Sequence, residues 1–525
     1  MDILIKNGTV VDGTGAPGVR ADVAVQHGHI AEVGPDLGMP ADQAINAEGL
    51  VVAPGFVDIT NHADTYLTLL NNPPSESLLA QGITTIVIGN CGASLAPMTH
   101  GRLINVVQKW ADVREINIDW QYFGEFLDVI DRFSPGVNVA GLVGHTTLRR
   151  DVLRDEIRDA KEDEIEQMQA LLHRALQDGA YGLSFGLSYS HARSAKREEI
   201  VELAKAAREA GTLVSMHLRD ERELQAEAVK EALEIAKEVD VSLEISHLKS
   251  VGDEAGGVYK ATIAAIERAA QADDLDVHFS VFPFETQHAV LYLLFPEWAQ
   301  RGGFDALRKH LQDAATRQKI VHELSSMNIP FEDYIIAEAK RGKSSVGKTI
   351  LEAAKYANVA PAEFIVNLFL AHEGQVLLFH RCKGESHLEE AIAHPLAHVT
   401  SAGGGYSLGD VESGALVHPR SFGAMPELLG HYVREKSVLS LENAIKKISG
   451  APAAKLGMID RGVIAKGNVA DLAIFDPATI ANRATLEKPY QFPQGMKWVL
   501  VNGAVAVDPD GITGRRAGLA LRRKQ

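Results

Sequence analysis

Apolar and polar positions change rhythm twice along the chain. In the first 50 residues short β-rich runs alternate with turns: Ile3-Leu4-Ile5, Asn7-Gly8, Thr9-Val10-Val11, then Asp22-Val23-Ala24-Val25 and His27-Gly28-His29-Ile30. Asn-Gly between alternating apolar residues is the strongest short hairpin signal. The run from Trp498 to Val507 repeats it around Asn502-Gly503. Both chain ends are therefore expected to build one small β-domain, residues 1–52 and 455–525.

Between them, from Ala53-Pro54-Gly55-Phe56-Val57-Asp58 onward, apolar runs of strand length alternate with helical spacing. Strands are expected at 83–88, 137–143, 182–187, 212–218, 241–247 and 277–282, and helices at 154–177, 198–210 and around 222–239. Repeated βα units imply parallel strands joined by right-handed crossovers. The expected fold is α/β, a (β/α)8 TIM-like barrel over residues 53–454. The rhythm loosens over about 284–360, which reads as an insertion near the barrel mouth, with the barrel closing through 364–373 and a last strand at 397–401.

Composition narrows the function. Hydrophobic content of 46% and charged content of 23% over 525 residues fit a folded globular chain of two or three units. A net charge of -17 disfavours nucleic acid and anionic membrane as partners, because both require a basic face. Two cysteines, Cys91 and Cys382, argue against a structural disulfide and for a reducing compartment. The first residues lack a signal-peptide pattern and no run approaches the roughly 20 apolar residues of a membrane span, so a cytoplasmic protein is expected.

Three segments carry the candidate chemistry: Gly89-Asn90-Cys91-Gly92, Ser215-Met216-His217-Leu218-Arg219 and Ile245-Ser246-His247-Leu248-Lys249. Each puts one metal ligand at the end of a buried strand, and in a barrel the C-terminal strand ends build the active site. One thiolate and two imidazoles are the three protein ligands of a catalytic zinc site with an open position. Residues two apart on a strand share a face, so Arg219 and Lys249 are expected one layer above the ligands, suited to gripping a carboxylate. His145 follows a strand and is a further candidate contact.

Taken together these segments resemble the amidohydrolase superfamily and, within it, the D-aminoacylase (N-acyl-D-amino-acid deacylase) family. The resemblance spans nearly the whole chain. It rests on Pro54 to Asp58, Gly89 to Gly92, Leu142-Val143-Gly144-His145, Gly182 to Tyr189, His217 to Glu221, His247 to Lys249, Asp460 to Gly462, Ala470 to Pro477 and Val501 to Gly503. It implies one tight zinc site on Cys91, His217 and His247, substrate contacts from Lys249 and Tyr189, and hydrolysis of an N-acyl-D-amino acid. A small carboxylate-bearing substrate follows, and the superfamily's habit of association allows a homo-oligomer.

The chain departs from the family pattern at three places. Where the family has His-x-His it reads Thr60-Asn61-His62, so His62 alone remains of the second metal position, which is lost or weak. Where the family has Ser-Asp-Gly it reads Ser401-Ala402-Gly403, removing the usual general base. The family's Tyr-Pro-Tyr is Phe282-Pro283-Phe284. A general base contributes about 10² to 10⁴-fold, and Asp64 and His62 are the candidates to replace it. The alternatives are a non-hydrolytic lyase, decarboxylase or isomerase on the same scaffold, or a catalytically silent binding relative.

Overall fold

In the computed structural model the backbone is described for residues 1–100, 118–154, 156–222, 224–249, 255–340, 342–381 and 385–524. Cys382 lies outside them.

The core is a barrel of parallel strands. They run Phe56–Asp58, Ile83–Ile88, Asn138–Gly141 continued by Val143–Gly144, Gly182–Gly186, Leu213–His217, Leu243–Ile245, Val277–Val281 and Ala397–Val399. Each neighbour pairs in parallel. Helices cover the outside and side chains fill the inside, so a strand such as Ile83–Ile88 is buried at every residue and reads as an unbroken apolar run.

The ring closes between its last and first strands. Thr60 N donates to Thr400 Oγ1 at 3.1 Å, Thr400 Oγ1 donates to Thr60 O at 2.8 Å, and His62 N donates to Gly403 O at 2.7 Å. The buried Asp58 carboxylate accepts from Ser401 N at 2.8 Å and from the Thr400 and Ser401 hydroxyls, locking the strand that leads to His62 against the one that leads to Ala402.

The expected helix at 154–177 is two helices, His145–Leu153 and Glu162–Gln177. The Glu164 carboxylate accepts the Lys161 backbone N–H at 2.8 Å and fixes where the second begins. Met168, Leu172, Ala175 and Leu176 make its buried face, at the three- and four-residue spacing read from the sequence.

The insertion is larger than expected and has its own core. Strands Thr286–Val290, Tyr334–Ala339 and Val376–Arg381 form an antiparallel sheet, backed by helices that bury Leu307, Ile320, Ile365 and Phe369. Residues 364–373 do not close the barrel. They belong mostly to the helix Pro361–Ala371, which has a proline in its first turn and is followed by Gly374 at φ 74°, where a Cβ would meet the Phe304 ring at 1.9 Å. The apolar run that reads as a strand is a helix buried in the insertion.

A nine-stranded sheet joins the chain ends, with Leu472–Phe475 antiparallel to Val51–Pro54 and Val51–Pro54 parallel to Ile3–Val10. The tail departs from the expected boundary. Val139 N donates to Leu519 O at 2.9 Å and Leu521 N to Val139 O at 2.8 Å, so residues 519–521 line a barrel strand. Among the described residues no helix is long and apolar enough to cross a membrane.

A candidate metal centre at the barrel mouth

The strand Ile83–Ile88 ends in a turn that glycine makes possible. Gly89 has φ 76°, and a Cβ there would lie 2.0 Å from the Leu142 carbonyl oxygen. The turn is held by Asp64, whose Oδ2 accepts the Gly89 N–H at 2.7 Å, and it presents Cys91 with φ 55°. His247 follows Leu243–Ile245 with φ 37° and its N–H donating to Ser280 Oγ at 2.8 Å. Positive φ at two non-glycine residues is stored strain of the kind that clusters at functional sites.

These turns bring Cys91 Sγ to 3.1 Å from His247 Nε2 and 4.0 Å from His62 Nε2. A tetrahedral zinc with Zn–S near 2.3 Å and Zn–N near 2.0–2.1 Å places its sulfur and nitrogen ligands about 3.6 Å apart, midway between those distances. Two overlapping groups have all their ligand atoms within 4.8 Å: His62, Cys91 and His247, and His217, Glu221 and His247. The expected trio is thus divided. His217 shares a group with His247 but not with Cys91. Its Nε2 lies 2.8 Å from Ser188 Oγ, and its ring meets His247 edge-on at 4.6 Å.

Glu221 was not anticipated as a site residue. Its Oε1 lies 3.0 Å from Lys249 Nζ, 3.4 Å from His247 Nδ1 and 3.8 Å from His217 Nε2. Burial pushes the Glu221 carboxyl up, but Lys249 and the two imidazoles outweigh it and hold it well below the usual carboxylate range. Burial pushes the Cys91 thiol up to about 12 and lowers His62 and His247. Neutral imidazoles are the ligating form, and a thiol this reluctant to ionise needs a cation beside it to become a thiolate. The donor set fits a metal ion.

The cluster lines a narrow cavity of about 60 Å³. Arg420 reaches its wall from the helix Arg420–Glu427 and is buried. The guanidinium stacks over Phe282 at 4.8 Å, Nη2 donates to Tyr66 Oη at 3.4 Å, and Nε has no hydrogen-bond partner. Among the described residues no carboxylate pairs with it. Burial first, and then this cation, hold His288 down to about 3.

The amidohydrolase family profile matches residues 43–289 and 411–507. A D-aminoacylase of Alcaligenes xylosoxydans xylosoxydans is 33% identical over 525 residues, covering 99% of this chain and 98% of that protein. The chain belongs to the amidohydrolase family. As a member of that family it is a hydrolase of C–N bonds other than peptide bonds. Its fold matches the N-acyl-D-glutamate deacylase of Bordetella bronchiseptica, solved with zinc and a phosphonate mimic of the tetrahedral intermediate, with TM-score 0.85, 30% identity and 99% coverage of both chains. A D-aminoacylase solved in work on its binuclear metal centre matches with TM-score 0.83 and 32% identity over 99% of this chain and all of that one.

Within this amidohydrolase site the sequence-predicted residues fall in two groups. Lys249 and Tyr189 line the cavity, Tyr189 with its ring 5.2 Å from that of His217. Arg219 does not. Its strand stops at His217, so alternation no longer governs it, and its guanidinium pairs with Glu231 at 2.8 Å on the following helix. His145 is also turned away. Its Nε2 lies 2.7 Å from Glu199 in a buried network with Arg149. Asp64 is buried and does not line the cavity: Oδ2 accepts the Gly89 N–H at 2.7 Å and Oδ1 the Thr65 N–H at 2.8 Å, and burial pushes its carboxyl up to about 7.

Thr60 and Ala402 are buried and outside the cavity wall. Thr60 Oγ1 lies 3.1 Å from Ser280 Oγ, the group that accepts the His247 N–H, so the threonine supports the position of a ligand candidate. Ala402 carries φ 46°. Arg420, Tyr66 and His288 were missed. His418-Pro419-Arg420 marks a helix start, but no periodicity connects it to the barrel mouth.

Proposed function

We propose that this amidohydrolase is a zinc-dependent deacylase that hydrolyses the amide bond of an N-acyl-D-amino acid with a small acyl group. The observation that carries the reading is one narrow cavity holding both the Cys91–His247 pair and a buried arginine that no carboxylate among the described residues pairs with. The first favours a metal ion, and the second favours the carboxylate of an amino acid.

Cys91, His247 and one of the flanking imidazoles, His217 or His62, would hold the zinc. When bound, zinc polarises an amide carbonyl and lowers the pKa of water. Arg420 receives the substrate carboxylate through its free Nε and stacks on Phe282, fixing how far the amide extends toward the cluster. Lys249, paired with Glu221 at 3.0 Å, adds positive charge to the cavity lining. No carboxylate lines the cavity among the described residues. The imidazole not engaged with the metal is therefore the proton acceptor for the attacking water and the donor to the leaving amine. His247 Nδ1 lies 3.4 Å from Glu221 Oε1 and 3.3 Å from Lys249 Nζ, so the pair holds the ring with Nε2 toward the metal position.

The test is bound zinc in the purified protein together with amine release from N-acetyl-D-amino acids. One zinc per chain with release, both lost in Cys91→Ala, supports the reading. Release that persists in a Cys91→Ala protein without zinc overturns it. A cytoplasmic location is compatible with this reading, because a reducing compartment keeps thiols free.

A further inference from the structure

A second cavity of about 490 Å³ opens beside the first, and Tyr66, His288 and Arg420 form the wall they share. Its volume is that of a ligand pocket. The insertion and the loop before Arg420 supply its far side: Glu338, Leu377, Tyr406 and Asp410 among them.

Glu338 enters it because of a β-bulge. The pairing of Tyr334–Ala339 with Val376–Arg381 slips between Ile336 and Glu338, and a bulge re-aims the side chain that follows it. The Glu338 carboxylate has no hydrogen bond or ion pair among the described residues. Other charges lining the cavity are placed differently. Lys340 and Lys343 are exposed at the rim, Lys343 Nζ donating to Glu412 O at 3.3 Å. Asp410 accepts the Ser407 N–H at 2.7 Å and caps its own turn. Besides Arg420 on the shared wall, the charge that faces inward is Glu338: burial pushes its carboxyl up, and Lys340 at the rim draws it partly back.

We propose that this cavity is the side-chain subsite of the substrate, and that Glu338 selects amino-acid side chains ending in a hydrogen-bond donor: an ammonium, guanidinium or carboxamide group. The inference rests on the deacylase reading and names its substrate class. With the carboxylate held at Arg420, the Cα sits at the wall between the two cavities. From there the amide runs toward Cys91 and His247, where the small cavity admits only a short acyl group, and the side chain has the large cavity open to it. A carboxylate-ended side chain would face Glu338 with like charge, and an apolar one would leave it unpaired in a largely buried place, which is costly.

The experiment measures binding separately from turnover. Affinities of N-acetyl-D-lysine, N-acetyl-D-glutamine, N-acetyl-D-norleucine and N-acetyl-D-glutamate are read by calorimetry on zinc-loaded enzyme, with amine release followed in parallel. The donor-ended pair is expected to bind at least about tenfold tighter than the other two. Glu338→Gln should erase the preference for lysine, and Glu338→Lys should turn it toward glutamate. Equal affinities across the series, or a preference that survives both substitutions, overturns the subsite while release leaves the deacylase reading standing. The predicted preference without release supports the subsite and counts against hydrolysis alone. If no compound binds, both fall.

Discussion

His247 has its Nε2 3.1 Å from Cys91 Sγ, and its Nδ1 3.4 Å from Glu221 Oε1 and 3.3 Å from Lys249 Nζ. A carboxylate that accepts from the second nitrogen of a metal-bound histidine fixes its tautomer and orientation. Its loss typically costs 10- to 100-fold in metal affinity. Glu221→Gln should therefore weaken zinc binding by about that factor while the protein still folds, as read by competition with a chelator. Unchanged affinity would show that Glu221 serves only Lys249.

Replacing either flanking imidazole tests how the cluster divides its roles. His217→Ala and His62→Ala should differ: one loses zinc, and the other keeps it but loses deacylation by about 10² to 10⁴-fold. Metal content and kcat measured on the same preparations assign the ligand and the proton acceptor. Equal loss of metal in both would mean that the two imidazoles bind as a unit.

Arg420→Met removes a buried cation that no carboxylate among the described residues answers. Hydrogen bonds to charged groups contribute about 1.5–3 kcal/mol, so KM should rise roughly 10- to 150-fold with a smaller change in kcat. The same variant should unfold at an equal or higher temperature without substrate, because an unpaired buried charge is costly to fold around. A large fall in Tm would mean that Arg420 is structural.

Ala402→Asp places a carboxylate three residues beyond the last barrel strand. Ala402 has φ 46°, a region that aspartate adopts more readily than alanine, so the backbone is prepared for the change. Deacylation should increase without loss of stability. An unchanged rate would mean that the imidazole in the cavity already supplies the proton acceptor in full.

Cys91, His217, His247 and Lys249 could be placed from sequence because each follows an apolar run, and such runs mark barrel strands. The same rule failed for Arg219, since period-two alternation ends where the strand ends, and its partner Glu231 lies on the next helix. His145 is a titratable residue near a strand end that a buried network with Glu199 holds away from the cavity, and Asp64, which holds the Gly89 turn, does not line the cavity. Arg420, His288 and Glu338 come from a helix start, an insertion strand and a bulge, where position in space depends on tertiary packing and no local pattern announces it. The 364–373 helix was misread for a related reason: a buried helix and a buried strand are both continuously apolar, and Pro361 was the signal that separates them.

The most direct test of the account is the release of free amine from N-acetyl-D-amino acids by zinc-loaded wild-type protein, beside Cys91→Ala and with the L-enantiomers as controls. The account predicts one zinc per chain, release from the D-series, and loss of zinc and release together in Cys91→Ala. A zinc-loaded wild type that releases no amine from either series would contradict it.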